Sequence, residues 1–166
     1  MSSPQEPDTD LFRQAMARFA TGVVVTSCLD NGFDHAMTAN AFASVSLDPM
    51  LVLVCVEKES RYHEAVMSTE HWGVSVLPAR SRGAARWLAT RGRPLHGQLD
   101  PVPHYRGAKT GVALLEGALA TFECRTSDVL PGGDHSILIG EVLTLELAED
   151  PAAALLYYRG AYGSLA

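Results

Sequence analysis

Hydrophobic and polar positions divide the chain into short elements whose period changes from helical to alternating. A polar, acidic opening, Met1-Ser2-Ser3-Pro4-Gln5-Glu6-Pro7-Asp8, reads as a loose tail with no signal-peptide core. Leu11, Phe12, Ala15, Met16 and Phe19 then fall at helical spacing. They predict a helix starting near Asp10, capped by Asp8 or Thr9 and ended by Ala20-Thr21-Gly22, with its apolar face packed on the core. From Gly22 to Cys28 the β-branched run Val-Val-Val-Thr predicts a strand. Asp30-Asn31-Gly32 is a hairpin turn signal, with His35 to Asn40 as the partner strand. Met50 to Val56 is almost continuously apolar and predicts a strand buried on both faces.

A polar turn, Glu57-Lys58-Glu59-Ser60, leads into a short helix over Arg61–Met67 and a strand over 71–77. Residues 79–90 favour a helix on which Arg82 and Arg86 share a face. Several Gly and Pro residues make 91–111 an irregular loop of the kind that often serves as a lid. A long strand is expected between Ala113 and Val129, kinked at Gly117. Pro131-Gly132-Gly133-Asp134 turns the chain, 135–147 alternates as a strand, and 155–160 forms a last short one. About seven strands joined mostly by short turns, with two or three helices, predict a mainly β, antiparallel barrel rather than a parallel sheet. The expected organisation is a single domain over 9–166 behind the tail 1–8.

Composition narrows the chemistry. The 166 residues are 47% hydrophobic and 19% charged, enough to form a core without staples. A net charge of -6, with 13 basic residues that never form a dense block, argues against nucleic acid or an anionic membrane as partner. Cys28, Cys55 and Cys124 lack a C-x-x-C and read as core or free thiols of a reducing compartment, so a cytoplasmic location is expected. No apolar run reaches the roughly 18 residues of a membrane span. The six histidines show no metal-ligand spacing with the cysteines, and no metal is expected. G-x-S-x-G, H-E-x-x-H and G-x-G-x-x-G are all missing, and Gly107-Ala108-Lys109-Thr110 fails the spacing of a phosphate loop.

What remains is a polar row. Thr38, Asn40, Ser44 and Ser46 fall at even spacing in Met37-Thr38-Ala39-Asn40-Ala41-Phe42-Ala43-Ser44-Val45-Ser46-Leu47-Asp48-Pro49. An extended chain places all four on one face, where uncharged hydrogen-bonding groups can line a polar ligand. An ordinary half-exposed strand and turn has the same spacing.

That stretch resembles the flavin-binding signature of the flavin reductase-like family, although Met50 follows Pro49 where the family has a second proline. Three other motifs match in order. Gly133-Asp134-His135 with Gly140-Glu141-Val142 resembles the family's Gly-Asp-His and following Gly-Glu-Val. Ala84 to Ala89 resembles its Ala-Arg helix, with Leu88 in place of Phe. The runs 19–26 and 157–162 resemble its opening and closing strands. The resemblance covers 11–162 and departs mainly at 95–100, where many relatives carry an Asp/Lys-Phe pair near the dinucleotide.

The resemblance implies an FMN-binding split β-barrel, a homodimer, that transfers hydride from NADH or NADPH to FMN or FAD and supplies a partner monooxygenase. It implies that Met37, Thr38, Ala39 and Asn40 lie against the isoalloxazine edge. Ser44, Val45 and Ser46 would meet the ribityl chain or phosphate, with Cys55 and Val56 near the ring. Lys58, Ser60 and Arg86 would approach the phosphate, the guanidinium suiting an oxyanion. His135 is the implied catalytic residue, facing the nicotinamide or the reacting face of the flavin, with Tyr158 and Arg159 as further contacts. Two rivals stay open: a flavin- or haem-binding barrel without turnover, and an oxidase of the pyridoxamine phosphate oxidase type.

Overall fold

A computed structural model describes residues 6–149 and 152–165. Residues 1–5 of the expected tail lie outside the described residues. The elements in chain order are α1 (Thr9–Met16), β1 (Thr21–Gly22), β2 (Val24–Asp30), β3 (Phe33–Ala39), β4 (Phe42–Leu47), β5 (Met50–Glu57), α2 (Arg61–Met67) and β6 (His71–Val76). A 3-10 turn at Ala79–Ser81 runs into α3 (Arg82–Ala89), followed by β7 (His104–Arg106), β8 (Ala113–Leu115), β9 (Ala120–Gly132), β10 (His135–Leu147), β11 (Leu155–Tyr158) and β12 (Ala161–Ser164).

Seven strands form one antiparallel sheet in the order β3-β2-β6-β9-β10-β5-β4. Its two edges, β3 and β4, are consecutive in the chain and joined at Asn40-Ala41, yet no ladder among the described residues pairs them. The result is the expected split barrel. Small sheets β1-β11-β12 and β7-β8 pack outside it. Asn31 and Gly32 both take positive φ, as a two-residue hairpin loop between right-twisted strands requires. At Gly140 a Cβ would meet Trp72 Cζ2 at 2.4 Å, so only glycine lets the long β9–β10 ribbon close over that indole.

Two cores follow from strand alternation. Val24, Val54, Val56, Trp72 and Leu138 point into the barrel, where Tyr62 and Val66 of α2 plug one end. Val23, Val25, Ala36 and Leu155 point outward and are covered by Ala85 and Leu88 of α3 and by Leu99 and Val102 of the segment that follows. Cys28 and Cys124 are fully buried, which pushes both thiols up to about 12. They are packing groups in the barrel.

Several expectations are corrected. The apolar face of α1 does not pack on the core: no α1 residue is buried, and Phe12 is 62% and Phe19 67% exposed. Its cap is as expected, with Asp8 accepting from Leu11 N at 2.7 Å. Strand β5 is buried on one face only, its other face being left partly exposed by the described residues. Gly117 is a break rather than a kink, since its positive φ turns the chain between β8 and β9. Segment 91–111 contains β7 and is pinned by buried Gln98, Leu99 and Val102, so it is not a free lid. The closing strand is a hairpin, turned by Arg159 and Gly160 at positive φ.

Candidate functional site

The polar row does not form one strand face. It is split by the corner at Asn40-Ala41, and Val45 is an extra residue: Ser44 pairs with Val52 and Ser46 with Leu51. That bulge sends Ser44 and Ser46 to opposite faces. What the fold builds instead is a groove across the end of β3.

A cleft of about 440 Å³ lies between Ala36–Thr38 of β3, the β5–α2 turn from Glu57 to Tyr62, and the chain leaving α3 from Leu88 to Arg93. A second, of about 200 Å³, is lined by Val23, Thr38–Asn40, Ala89, Tyr157 and Tyr162. Both are lined by Thr38 and Ala89, so the two clefts adjoin along the end of β3.

Each wall has a local cause. Helix α3 approaches β3 closely because the facing residue is Ala85, fully buried, whose carbonyl accepts from Thr38 Oγ1 at 2.8 Å. Ser60 caps α2, accepting from His63 N at 3.2 Å and donating to Glu57 O at 2.7 Å. Arg93 satisfies carbonyls at the α3 C-terminus, Leu88 O at 2.8 Å and Thr90 O at 2.6 Å, where a cation opposes the helix dipole. It also donates to Ala36 O at 2.9 Å and so ties the loop to β3. Burial, aided by the neighbouring Arg61 charge, lowers the Arg93 pKa. Its Nε is buried without a partner in the described structure. Gln98 completes the wall, accepting from Ala36 N at 3.3 Å while its backbone carbonyl accepts from Trp87 Nε1 at 2.8 Å.

Charge is unevenly distributed along the groove. Arg61, Arg91 and Arg93 face Glu57 and Glu59 in the larger cleft, with Arg91 paired to Glu57 at 3.3 Å. Among the described residues, the smaller cleft is lined by no charged side chain. Arg86 stands exposed on α3, with no side-chain hydrogen bond or ion pair among the described residues. It lies close enough to Tyr162 that its charge partly offsets the upward push of burial on that phenol. A flavin needs an apolar slot for its ring, neutral donors and acceptors along the ring edge, and cations for phosphate. The groove offers the first at Val23, Ala39, Tyr157 and Tyr162, the second between Met37 and Asn40, and the third among its arginines. These residues fit the group.

Of the predicted site residues, Met37, Thr38, Ala39, Asn40 and Ser60 line the groove. Ser44, Val45 and Ser46 lie beyond the corner on β4 and line neither cleft. Cys55 is half-buried, its N–H bonded to Ala41 O at 3.0 Å. The Val56 side chain is enclosed in the barrel, leaving only its backbone to face a ligand. Lys58 Nζ donates to Gly133 O at 2.6 Å, a bond to the next turn. Tyr158 and Arg159 are exposed at the β11–β12 turn, and Tyr157 and Tyr162 line the cleft in their place. His135 opens β10 opposite Glu57, its Nδ1 2.8 Å from Asp134 Oδ1, outside both clefts. The hydrogen bond and charge of that imidazole hold the Asp134 carboxyl below its usual range.

Arg61, Arg91, Arg93 and Gln98 were not singled out from the sequence. The available signal was Arg-Gly-Arg at 91–93, directly after a helix whose carbonyls need donors. Among the described residues, no helix is long and apolar enough to cross a membrane.

The chain is similar to known proteins along most of its length. A family model described as the flavin reductase like domain matches residues 16–166. The chain is 41% identical over 133 residues to an NADH-dependent FAD reductase of Streptomyces globisporus, covering 80% of this chain and 72% of that one. BorF, the flavin reductase component of a bacterial two-component tryptophan halogenase, superposes with a TM-score of 0.89 at 43% identity, covering 95% of this chain and 98% of that one. The NADH:FAD oxidoreductase SgcE6 of Streptomyces globisporus C-1027, solved with NAD and FAD fragments, gives 0.91 at 34%, covering 99% and 98%. The chain belongs to the flavin reductase-like family, the split-barrel NAD(P)H:flavin oxidoreductases.

Proposed function

We propose that this oxidoreductase holds FMN or FAD in the groove at the end of β3 and passes the reduced flavin to a separate monooxygenase. The observation that carries the reading is the junction at Thr38 and Ala89, where a neutral, aromatic slot meets an arginine-lined cleft. A flavin held there would supply the hydride acceptor for NADH oxidation, so no protein nucleophile is required. The chain's own residues hold and orient. Backbone N–H groups between Met37 and Asn40 serve the ring edge, and donors there favour the anionic reduced ring. Thr38 Oγ1 has its proton committed to Ala85 O and keeps lone pairs to accept from the ribityl hydroxyls. Arg61 and Arg91, with Arg86 outside, supply positive charge for phosphate, while Arg93 uses its donors on backbone carbonyls and holds the loop in place.

Ser44, Val45, Ser46 and Cys55 form the outer margin beyond the corner, and Tyr158 and Arg159 border the slot through their hairpin. His135 orients the nicotinamide or carries a proton. The expected signature of His135→Ala is a fall in turnover of about tenfold or more, with flavin Kd within about twofold. Equal loss of both removes that role.

The assembly proposed is a homodimer. Its support is apolar surface left uncovered, on α1 at Phe12 and Met16, just beyond it at Phe19, and at Leu47, Met50 and Leu147. A cytoplasmic location is proposed because Cys28, Cys55 and Cys124 are all free.

Ala89→Trp tests the groove directly, because the exposed Ala89 lines both clefts and the indole would fill their junction. The variant is expected to fold and to lose flavin binding by about 100-fold or more. Wild-type flavin affinity in a folded Ala89→Trp places the flavin elsewhere.

A further inference from the structure

The turn between β5 and α2 faces two ways. On one side Glu57, Glu59 and Ser60 line the larger cleft. On the other it holds the β9–β10 turn, which carries His135. Lys58 N donates to Asp134 O at 2.9 Å, and Lys58 Nζ donates to Gly133 O at 2.6 Å. One residue thus binds two successive carbonyls. Gly133 takes a φ of 68°, a left-handed conformation suited to glycine, so the path of this turn is narrowly defined. Glu57 pairs with His135 in the β5–β10 ladder, and Ser136 Oγ lies 2.9 Å from His63 Nε2 on α2. Asp134 braces the His135 imidazole from within the same turn.

The ammonium of Lys58 is therefore engaged by backbone on the far side of its turn, not aimed into the arginine-lined cleft, whose lining does not include it. We propose that Lys58 is a positioning residue: it clamps the Gly133-Asp134 turn so that His135 stands at a fixed place relative to the flavin groove. This rests on the assignment of His135 to the reaction. The rim of the groove and the support of His135 are the same four-residue turn, 57–60, which explains how two separate loops keep register. A displacement of about 1 Å in a reacting group costs on the order of 100-fold in rate, so a loosened turn registers in turnover.

The test compares Lys58→Met, Lys58→Arg, His135→Ala and the double variant Lys58→Met/His135→Ala. Flavin Kd is read by fluorescence, and kcat is read at saturating flavin and NADH. Lys58 is exposed, so its replacement leaves the cores intact. Lys58→Met is expected to lower kcat about tenfold while flavin Kd stays within about twofold. Lys58→Arg, which keeps a donor, recovers most of that loss. The double variant is no slower than His135→Ala alone, because the clamp acts only through His135. A tenfold rise in flavin Kd with kcat unchanged in Lys58→Met overturns the proposal and makes Lys58 a phosphate ligand. So do losses that multiply in the double variant. A fast Lys58→Met beside a slow His135→Ala overturns the clamp alone, whereas wild-type turnover in His135→Ala overturns the His135 assignment and the clamp with it.

Discussion

Helices α1 and α3 are each eight residues long and each carries an apolar stripe, yet α3 buries Ala85 and Leu88 whereas α1 buries nothing. The difference lies in what each meets. Helix α3 lies over the outward face of β2 and β3, where Val23, Val25 and Ala36 await a cover. Helix α1 is tied at its end, where Arg159 N donates to Ala17 O at 2.8 Å, and presents Phe12 and Met16 to the outside, with Phe19 exposed just after it. Periodicity shows that a helix has a face to cover and is silent on what covers it. One helix walls a cleft; the other leaves its apolar side uncovered, where the proposed homodimer would place a second copy of the chain.

The sharpest way to break the contrast is Leu88→Ala. Leu88 is 1% exposed, packs in the second core and lines the larger cleft. Its truncation is expected to cost roughly 2–5 kcal/mol and to weaken flavin binding together with stability. Thermal unfolding with and without flavin reads both; a loss under about 0.5 kcal/mol would mean α3 is not part of the core.

Next in size is the polar support of the segment 107–112, which leads into β8. Glu123 is 3% exposed and accepts from Thr110 N and Thr110 Oγ1, both at 2.6 Å, and from Thr144 Oγ1 at 2.8 Å. It thereby fixes the segment leading to β8. Burial pushes its carboxyl up, but the hydrogen bonds from Thr110, Thr144 and Lys109 outweigh burial and hold it below its ordinary 4.5. With a depressed folded pKa, its stabilisation is fully present above the unfolded value and lost as pH falls through the folded one. Wild-type stability should therefore decline below about pH 4.5, and Glu123→Gln should cost about 1–3 kcal/mol at neutral pH and flatten that decline. An unchanged acid limb in the variant contradicts this account of Glu123.

On α1 the expectation reverses. Phe12→Ser with Phe19→Ser removes no buried contact, so the protomer should keep its fold while sedimentation shows a shift from dimer to monomer. Each buried phenylalanine is worth roughly 1.5–3 kcal/mol, enough for the pair to move a dimer constant by more than 100-fold. A double variant that remains a dimer moves the interface elsewhere.

The smallest effect is expected from Arg86→Ala on the exposed side of α3. Weaker flavin binding, by about tenfold and less at high salt, marks it as a phosphate contact. No change in Kd marks it as a solvated arginine.

Much of this fold was legible because its signals are local. Strand β10 alternates from His135 to Leu147, helix α2 runs over Arg61–Met67, and Asn31-Gly32 forms the turn its residues demand. The groove was half legible. Met37 to Asn40 could be found as a motif, but Arg61, Arg91 and Arg93 come together only when α3 and the β5–α2 turn converge on β3. The row from Thr38 to Ser46 misled because alternation counts residues and cannot register a corner at Asn40-Ala41 or a bulge at Val45. Lys58 shows another limit of the sequence: its carbonyl partner, Gly133, comes from a turn 75 positions along the chain, which no local pattern registers.

The most direct test is NADH oxidation at 340 nm by the purified protein, with and without added FMN or FAD. Oxidation that requires added flavin and saturates with it is the predicted result, and would make flavin a diffusing substrate of this groove. Tight flavin binding without oxidation of NADH or NADPH would contradict the account and leave a barrel that holds flavin without reducing it.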